Sequence, residues 1–300
     1  MVRGMKIILH IGAHKTASTH LQLALGRARA DLAAHGVGLI LPEALRRNGL
    51  RLGDYLSIQP EDRSLGATIR QAFARAASGA AFLLISEENI LGNAHQPAMI
   101  REARLYPAAH SRLERLRRLL PDAPVVLAMA MRNPADFLTS AYSQRLMSGR
   151  LEPFETFRAG LDPAALSWHD LLLRLRAALP DSPCVLWRQE DYPAIAPAVL
   201  SALLGAQAAG AVRPKPGRAH PGLSRPALDA LLAEAETLVP QGEEAARARV
   251  RALRQRFARD KGHPPLALFD ADTAARAARA YDKDLRRIAA LPGIVLLGEG

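Results

Sequence analysis

A chain of 300 residues, 49% hydrophobic and 23% charged, is long enough to bury a full core and has the make-up of a folded globular protein, which excludes disordered and fibrous classes. One cysteine, Cys184, excludes an internal disulfide framework and fits a reducing compartment; no apolar run nears the roughly 20 residues that cross a bilayer, so the expectation is a cytoplasmic protein without a membrane span. The net charge of +11 suits an anionic ligand, whereas nucleic acid is disfavoured because aromatics are only 5% and no stripe interleaves them with arginines.

The first predicted element is the most informative. Lys6 to Ile11 reads as a buried strand, Gly12 permits a tight turn, and an amphipathic helix begins at His20. Between them stand Lys15, a mobile cation, and the hydroxyls of Thr16, Ser18 and Thr19. These groups lie where unpaired helix N–H groups and the positive end of the helix dipole converge, which is the chemistry of an anion cradle. An ordinary strand-to-helix turn is the alternative. The segment is not the common nucleotide-triphosphate loop, which needs G-x-x-x-x-G-K-[ST]. Lysine occupies only positions 6, 15, 215, 261 and 283, and the other 35 basic residues are arginine. A lysine kept in this loop therefore fits a compact charge able to follow a moving phosphate or bridging oxygen.

Further strands are predicted at Val37 to Leu41, Ala81 to Ser86, Val125 to Met131 and Cys184 to Arg188. Helical spacing appears near Leu21 to His35, Ile69 to Ala77, Ser111 to Leu120, Ala135 to Ser148 and Ser167 to Leu179. This alternation predicts an α/β fold with a parallel sheet of about five strands flanked by helices, its ligand at the carboxyl ends of the strands. The third strand delivers adjacent carboxylates, Glu87 and Glu88, which point to opposite sides if the strand continues. One of them, facing the loop, could take a proton from an attacking group; two solvated loop carboxylates are the alternative. The fourth strand ends at Arg132, followed by Asn133 as a helix N-cap, Pro134 at the first helical position and Ser140 about two turns into the helix. The Pro-rich stretch Arg213 to Gly222 precedes helical segments around 224–238, 243–259 and 271–290. The expected organisation is a single domain over 1–300, with a sheet core over 1–210 and a loop plus arginine-rich helical tail over 211–300. His10, His14 and His20 fall on a strand, a loop and a helix start, which is not the spacing of a zinc site.

Three segments together resemble the PAPS-dependent sulfotransferases, the bacterial sulfotransferase-like proteins in particular. They are G-x-x-K-T-[GA]-[ST]-T at Gly12 to Thr19, R-x-P then S-x-Y from Arg132 to Tyr142, and the strand ending Ser86-Glu87-Glu88-Asn89. The resemblance implies a P-loop-like fold with Gly12, His14, Lys15, Thr16, Ala17, Ser18 and Thr19 around the 5′-phosphate, and Arg132 with Ser140 on the 3′-phosphate. It implies two catalytic residues, Lys15 at the bridging oxygen and Glu88 as the base. PAPS would be the donor and PAP the product, with no metal; the acceptor would be a hydroxyl or amine on a small molecule, glycan or lipid, or a peptide tyrosine, in a pocket formed by the excursion at 42–66, the segment after Met147 and the helical tail. Ala17 stands where many members carry glycine, so a positive backbone angle there would be strained. The family's basic loop over the 3′-phosphate has Arg213, Lys215 and Arg218 as candidates. Two rivals stay open. A P-loop-type small-molecule kinase would carry a second loop glycine and a later strand-end aspartate for magnesium, where this chain has Arg132. A non-catalytic protein would bind nucleotide, or an acidic partner through Arg247 to Arg259.

Overall fold

The computed structural model describes residues 5–46, 49–57, 62–93, 99–215, 217 and 222–298. Six strands form one sheet: β1 (Lys6–His10), β2 (Val37–Ile40), β3 (Phe82–Ser86), β4 (Val125–Met131), β5 (Cys184–Arg188) and β6 (Ile294–Leu297). Their order is β2-β3-β1-β4-β5-β6, and every neighbouring pair is parallel. Parallel strands covered on both faces need apolar residues at successive positions. Accordingly β3 is buried at every residue and β1 at all but Lys6. The parallel sheet is the one expected, with a sixth strand beyond the five predicted. β6 is a short edge strand with no fully buried residue, and Val295 is half exposed, so its run lacks the two-sided burial that marks the others.

The chain divides into two compact units. The first holds residues 1–132, 167–217 and 283–300; the second holds 133–166 and 218–282. One division falls at 217/218, near the expected cut at 210/211, but the chain also divides at 132/133, 166/167 and 282/283. The helix Pro134–Met147 groups with the later helices, and the last residues, which include β6, group with the sheet.

In the first unit, one face of the sheet presents Ile8, Leu84, Ala128 and Trp187. Leu21 and Leu25 of the helix Ser18–Arg27, with Val199 and Leu203 of the helix Tyr192–Leu204, pack in the same cluster. The chain leaves β1 outward to β2, returns through β3, and crosses to β4 on the other side of β1. That reversal opens a crevice at the carboxyl end of β1, the place where open α/β sheets bind ligands.

In the second unit, Asn133 Oδ1 accepts from Ala135 N at 2.9 Å and Pro134 occupies the first turn. Together they satisfy an orphan donor and preset the angle that starts the helix Pro134–Met147. Tyr142 on this helix packs edge-on to Phe154 and tilted against Phe157 and donates its hydroxyl to Glu152 O at 2.6 Å. Three arginines of the later helices pair with acids of the same unit: Arg249 with Glu234, Arg225 with Asp229 and Arg276 with Asp162.

Candidate functional site

The loop after β1 is held by the sheet before it turns. Ile11 N donates to Ala128 O, Ala130 N to Gly12 O at 2.6 Å, and Ala13 N to Ala130 O at 3.1 Å, so β1–β4 pairing runs on through Ala13. Gly12 has φ of +102°, and a Cβ there would lie 2.8 Å from the Cβ of Glu88. Glycine is thus required twice over, by the backbone angle and by the close approach of Glu88. Thr16 Oγ1 and Ser18 Oγ both donate to Ala13 O, at 2.7 and 3.1 Å. Their protons shape the loop.

The helix begins at Ser18, two residues earlier than its periodicity suggests, because the hydroxyl cluster is itself the first turn. Its N-cap is Ala17, at φ 60° and ψ 19°, with no side-chain cap. The positive angle falls on an alanine, where it costs about 1–2 kcal/mol. Lys15 also has φ of 64°. Among the described residues the N–H groups of Ala17, Ser18 and Thr19 have no protein acceptor, and they stand at the positive end of a ten-residue helix.

Arg132, at the end of β4, reaches this loop. Its Nη1 donates to Lys15 O at 2.9 Å, and its own carbonyl accepts from Trp168 Nε1 at 2.8 Å. Two motifs 117 residues apart thus meet at the carboxyl ends of adjacent strands. Burial, and after it the Arg132 charge, push the Lys15 ammonium down to about 8, with Glu88 opposing them.

Glu87 and Glu88 do not alternate as a continuing strand would make them. β3 stops at Ser86, and Glu88 opens a short 3₁₀ turn through Ile90, so both side chains reach one guanidinium. Arg46 Nε and Nη2 donate to Glu87 Oε2 and Oε1, each at 2.9 Å, and Nη2 also donates to Glu88 Oε1 at 2.8 Å. Glu87 Oε1 further accepts from Asn89 N at 2.9 Å. Glu88 Oε2 accepts from Gln22 Nε2 at 2.9 Å. Burial alone would raise the Glu88 carboxyl, but the Gln22 hydrogen bond and the Arg46 charge outweigh it and hold the group below the usual carboxylate range. The turn is also held from behind: Arg112 donates to Asn89 O at 2.8 Å and to Ile90 O at 2.9 Å.

Two buried histidines flank the loop. His14 Nε2 donates to Asn89 Oδ1 at 3.1 Å, which leaves Nδ1 as acceptor for the Tyr106 hydroxyl at 3.0 Å; the same hydroxyl oxygen accepts the His14 backbone N–H at 3.0 Å. One neutral tautomer satisfies all three bonds, and both ring nitrogens are engaged within the protein. His10 stacks on Trp187 with ring centroids 5.7 Å apart, and its Nδ1 meets Ser86 Oγ at 2.7 Å. Burial brings both imidazoles down to about 4, so both are neutral at pH 7. His20 lies apart from them, donating Nε2 to Lys215 O at 2.7 Å.

Beside this cluster lies a pocket of about 190 Å³ walled by Arg46, Arg51, Asp54, Glu87, Asn89 and Asn93, with Leu45, Leu52, Gly53 and Ile90 completing it. Part of its wall comes from the excursion at 42–66 and the rest from the segment after β3. Ser140 is half-buried on the helix Pro134–Met147 of the second unit. Arg213 turns its guanidinium back onto the carbonyls of Gly210 and Val212, and Arg218 lies outside the described residues. Among the described residues no group of three or more His, Cys, Asp or Glu side chains could hold a metal ion, and no helix is long and apolar enough to cross a membrane. Sequence reasoning missed Gln22, Arg46, Tyr106 and Arg112, which enter from distant segments at no motif spacing. Only Gln22, one turn past the hydroxyl cluster, sits at a position a helical register could have flagged.

No protein-family model and no curated protein matches the chain. Among solved structures, the crystal structure of a sulfotransferase from Alicyclobacillus acidocaldarius is similar over 82% of this chain and 94% of its own, at 17% identity and a TM-score of 0.41. A likeness this loose assigns no residue a role.

Proposed function

We propose that the first unit binds PAPS at the loop Gly12–Thr19 and transfers its sulfuryl group to a hydroxyl or amine of an acceptor, releasing PAP. The observation that carries this reading is the meeting of the two motifs, with Arg132 Nη1 on Lys15 O at 2.9 Å. The donor set fits a phosphate ester: helix N–H groups without a protein acceptor at Ala17 to Thr19, an ammonium and a guanidinium, all at the sheet's switch point.

When bound, PAPS supplies an activated sulfuryl group whose transfer leaves negative charge on the bridging oxygen. The Ala17–Thr19 amides hold the 5′-phosphate, and Lys15 neutralises the charge that grows as PAP departs. Arg132 grips the 3′-phosphate, for which a planar guanidinium is suited. Glu88, ionised at neutral pH, is in the state needed to receive the acceptor's proton. The acceptor enters from the pocket walled by Arg46, Asp54 and Asn89.

The test is calorimetric titration with PAP and with ATP, followed by mass-detected sulfate transfer from PAPS across an acceptor panel. PAP is expected to bind and ATP to bind at least about tenfold more weakly. Arg132→Ala weakens PAP by about tenfold or more, the loss of one charge-assisted contact, whereas Lys15→Ala lowers turnover far more than affinity. Equal PAP affinity in Arg132→Ala and wild type removes the assignment. Ser140→Ala in the same titration tests the remaining sequence expectation.

A further inference from the structure

We propose that Arg46 is a positioning residue that divides the work of two adjacent carboxylates, locking Glu87 into the fold and holding Glu88 ionised and oriented beside the loop. The inference rests on the reading of Glu88 given above. Arg46 makes three charge-assisted hydrogen bonds through two nitrogens, two to Glu87 and one to Glu88. A planar fork can take both oxygens of one carboxylate and still bridge to its neighbour; an ammonium cannot.

The carboxylates differ in what else holds them. The Glu87 side chain is 3% exposed, and its Oε1 also caps the 3₁₀ turn through Asn89 N, so it acts as an anchor. Glu88 is 13% exposed, its Cβ lies where a Cβ on Gly12 would come within 2.8 Å of it, and its other oxygen is taken by Gln22. The charged and titratable groups that face it are His10 from β1, His14 and Lys15 from the loop, Arg46 from the excursion, Tyr106, and its neighbour Glu87. Arg46 is bonded to it directly, while His10, His14 and Lys15 act through space. The Arg46 side chain is itself 46% exposed and lines the pocket, so a ligand there touches the residue that holds the candidate base.

The test is a pH titration of the Glu88 carboxyl by ¹³C NMR in the glutamate-labelled full chain, with the signal assigned by its loss in Glu88→Gln. Removing a bonded opposite charge raises a carboxyl by about one unit or more, and that rise is expected in R46Q. R46Q alone leaves Glu87 buried without its partner, and removing Glu87 by itself takes a like charge from beside Glu88, so R46Q/E87Q is measured against E87Q, from which it differs only in Arg46, and the same rise is expected between those two. R46K, which keeps the charge and loses the fork, is expected to fall between wild type and R46Q. In active enzyme the acid limb of kcat/KM moves up in the same order. An equal Glu88 midpoint in R46Q/E87Q and E87Q overturns the role of Arg46 whatever the activity. A wild-type protein that neither binds PAP nor transfers sulfate overturns the sulfotransferase reading instead, because the NMR titration needs no turnover.

Discussion

Anion binding at the loop is expected to weaken with rising pH, with Lys15 as the cause. Burial first, and the Arg132 charge second, bring its ammonium down to about 8. In the free protein Lys15 is therefore mostly charged at pH 7 and mostly neutral at pH 9. A bound phosphate restores the charge, so above the free midpoint binding draws in a proton. If only the charged form binds, the apparent Kd of PAP grows by about tenfold between about pH 7 and about pH 9, or about 1.4 kcal/mol. The phosphates themselves, with a second pKa near about 6, stay close to fully charged across that interval. The assay is calorimetry in two buffers of different ionisation enthalpy, where the difference in observed heat counts the protons taken up, about half a proton at pH 8. Lys15→Arg keeps a permanent charge and is expected to flatten the profile. A wild-type Kd that stays constant from pH 7 to 9, or an equal slope in Lys15→Arg, refutes the assignment of Lys15 to the anion.

Three further outcomes follow from the same geometry. Ala17→Gly relieves the left-handed angle at the helix start, offset by glycine's greater unfolded-state freedom, for a net gain of about 0.5–1 kcal/mol; a fall in Tm on scanning calorimetry contradicts the strain. Tyr106→Phe removes the hydroxyl that serves both the His14 N–H and its Nδ1, costing about 1–3 kcal/mol by urea unfolding, and an unchanged midpoint would show that the bridge contributes nothing. His10 and His14, both brought down by burial from 6.5 to about 4, make the protein acid-sensitive. Between those values the unfolded chain binds more protons, so stability is lost as pH falls, by about 2 kcal/mol per histidine at pH 5. Urea midpoints at pH 7 and pH 5 read this directly, and equal values refute it.

The parts of the fold legible in the sequence are those whose chemistry is local. β4 and β5 have the bounds their apolar runs predict, Val125–Met131 and Cys184–Arg188, because each lies inside the sheet and carries a continuous hydrophobic demand. β6 lacks that demand. The loop from Gly12 to Thr19 was legible for the same reason, since a turn angle, a cation and a helix start lie within eight residues. The setting of Glu87 and Glu88 was not. Alternation along a strand assumes that the strand continues, and this one yields to a 3₁₀ turn capped by Glu87 itself. The residues that hold the site, Arg46 and Gln22 on Glu88 and Tyr106 on His14, lie 42, 66 and 92 positions from their partners. Only the tertiary fold brings them together, and no spacing along the chain encodes that.

The distribution of charge bears on which unit meets an anion. The Arg-rich helices late in the chain invite the view that they are the basic surface, yet the second unit has 14 lysines and arginines against 13 aspartates and glutamates. Several of its arginines pair with acids of the same unit, as in Arg249 with Glu234 and Arg150 with Glu243. Exposed pairs of this kind add little stability; what they do is cancel charge. The first unit carries 26 basic residues against 16 acidic ones, so nearly all of the +11 belongs to the unit that holds the loop. An excess confined to one unit steers a multiply charged ligand toward that unit, and salt screens the effect. Neutralising Arg247 and Arg251 in the second unit is therefore expected to leave the salt dependence of PAP association unchanged, whereas neutralising Arg70 and Arg75 on the helix Arg63–Ala77 of the first reduces it. The reverse result in stopped-flow association rates would return the anion-attracting role to the arginine-rich helices.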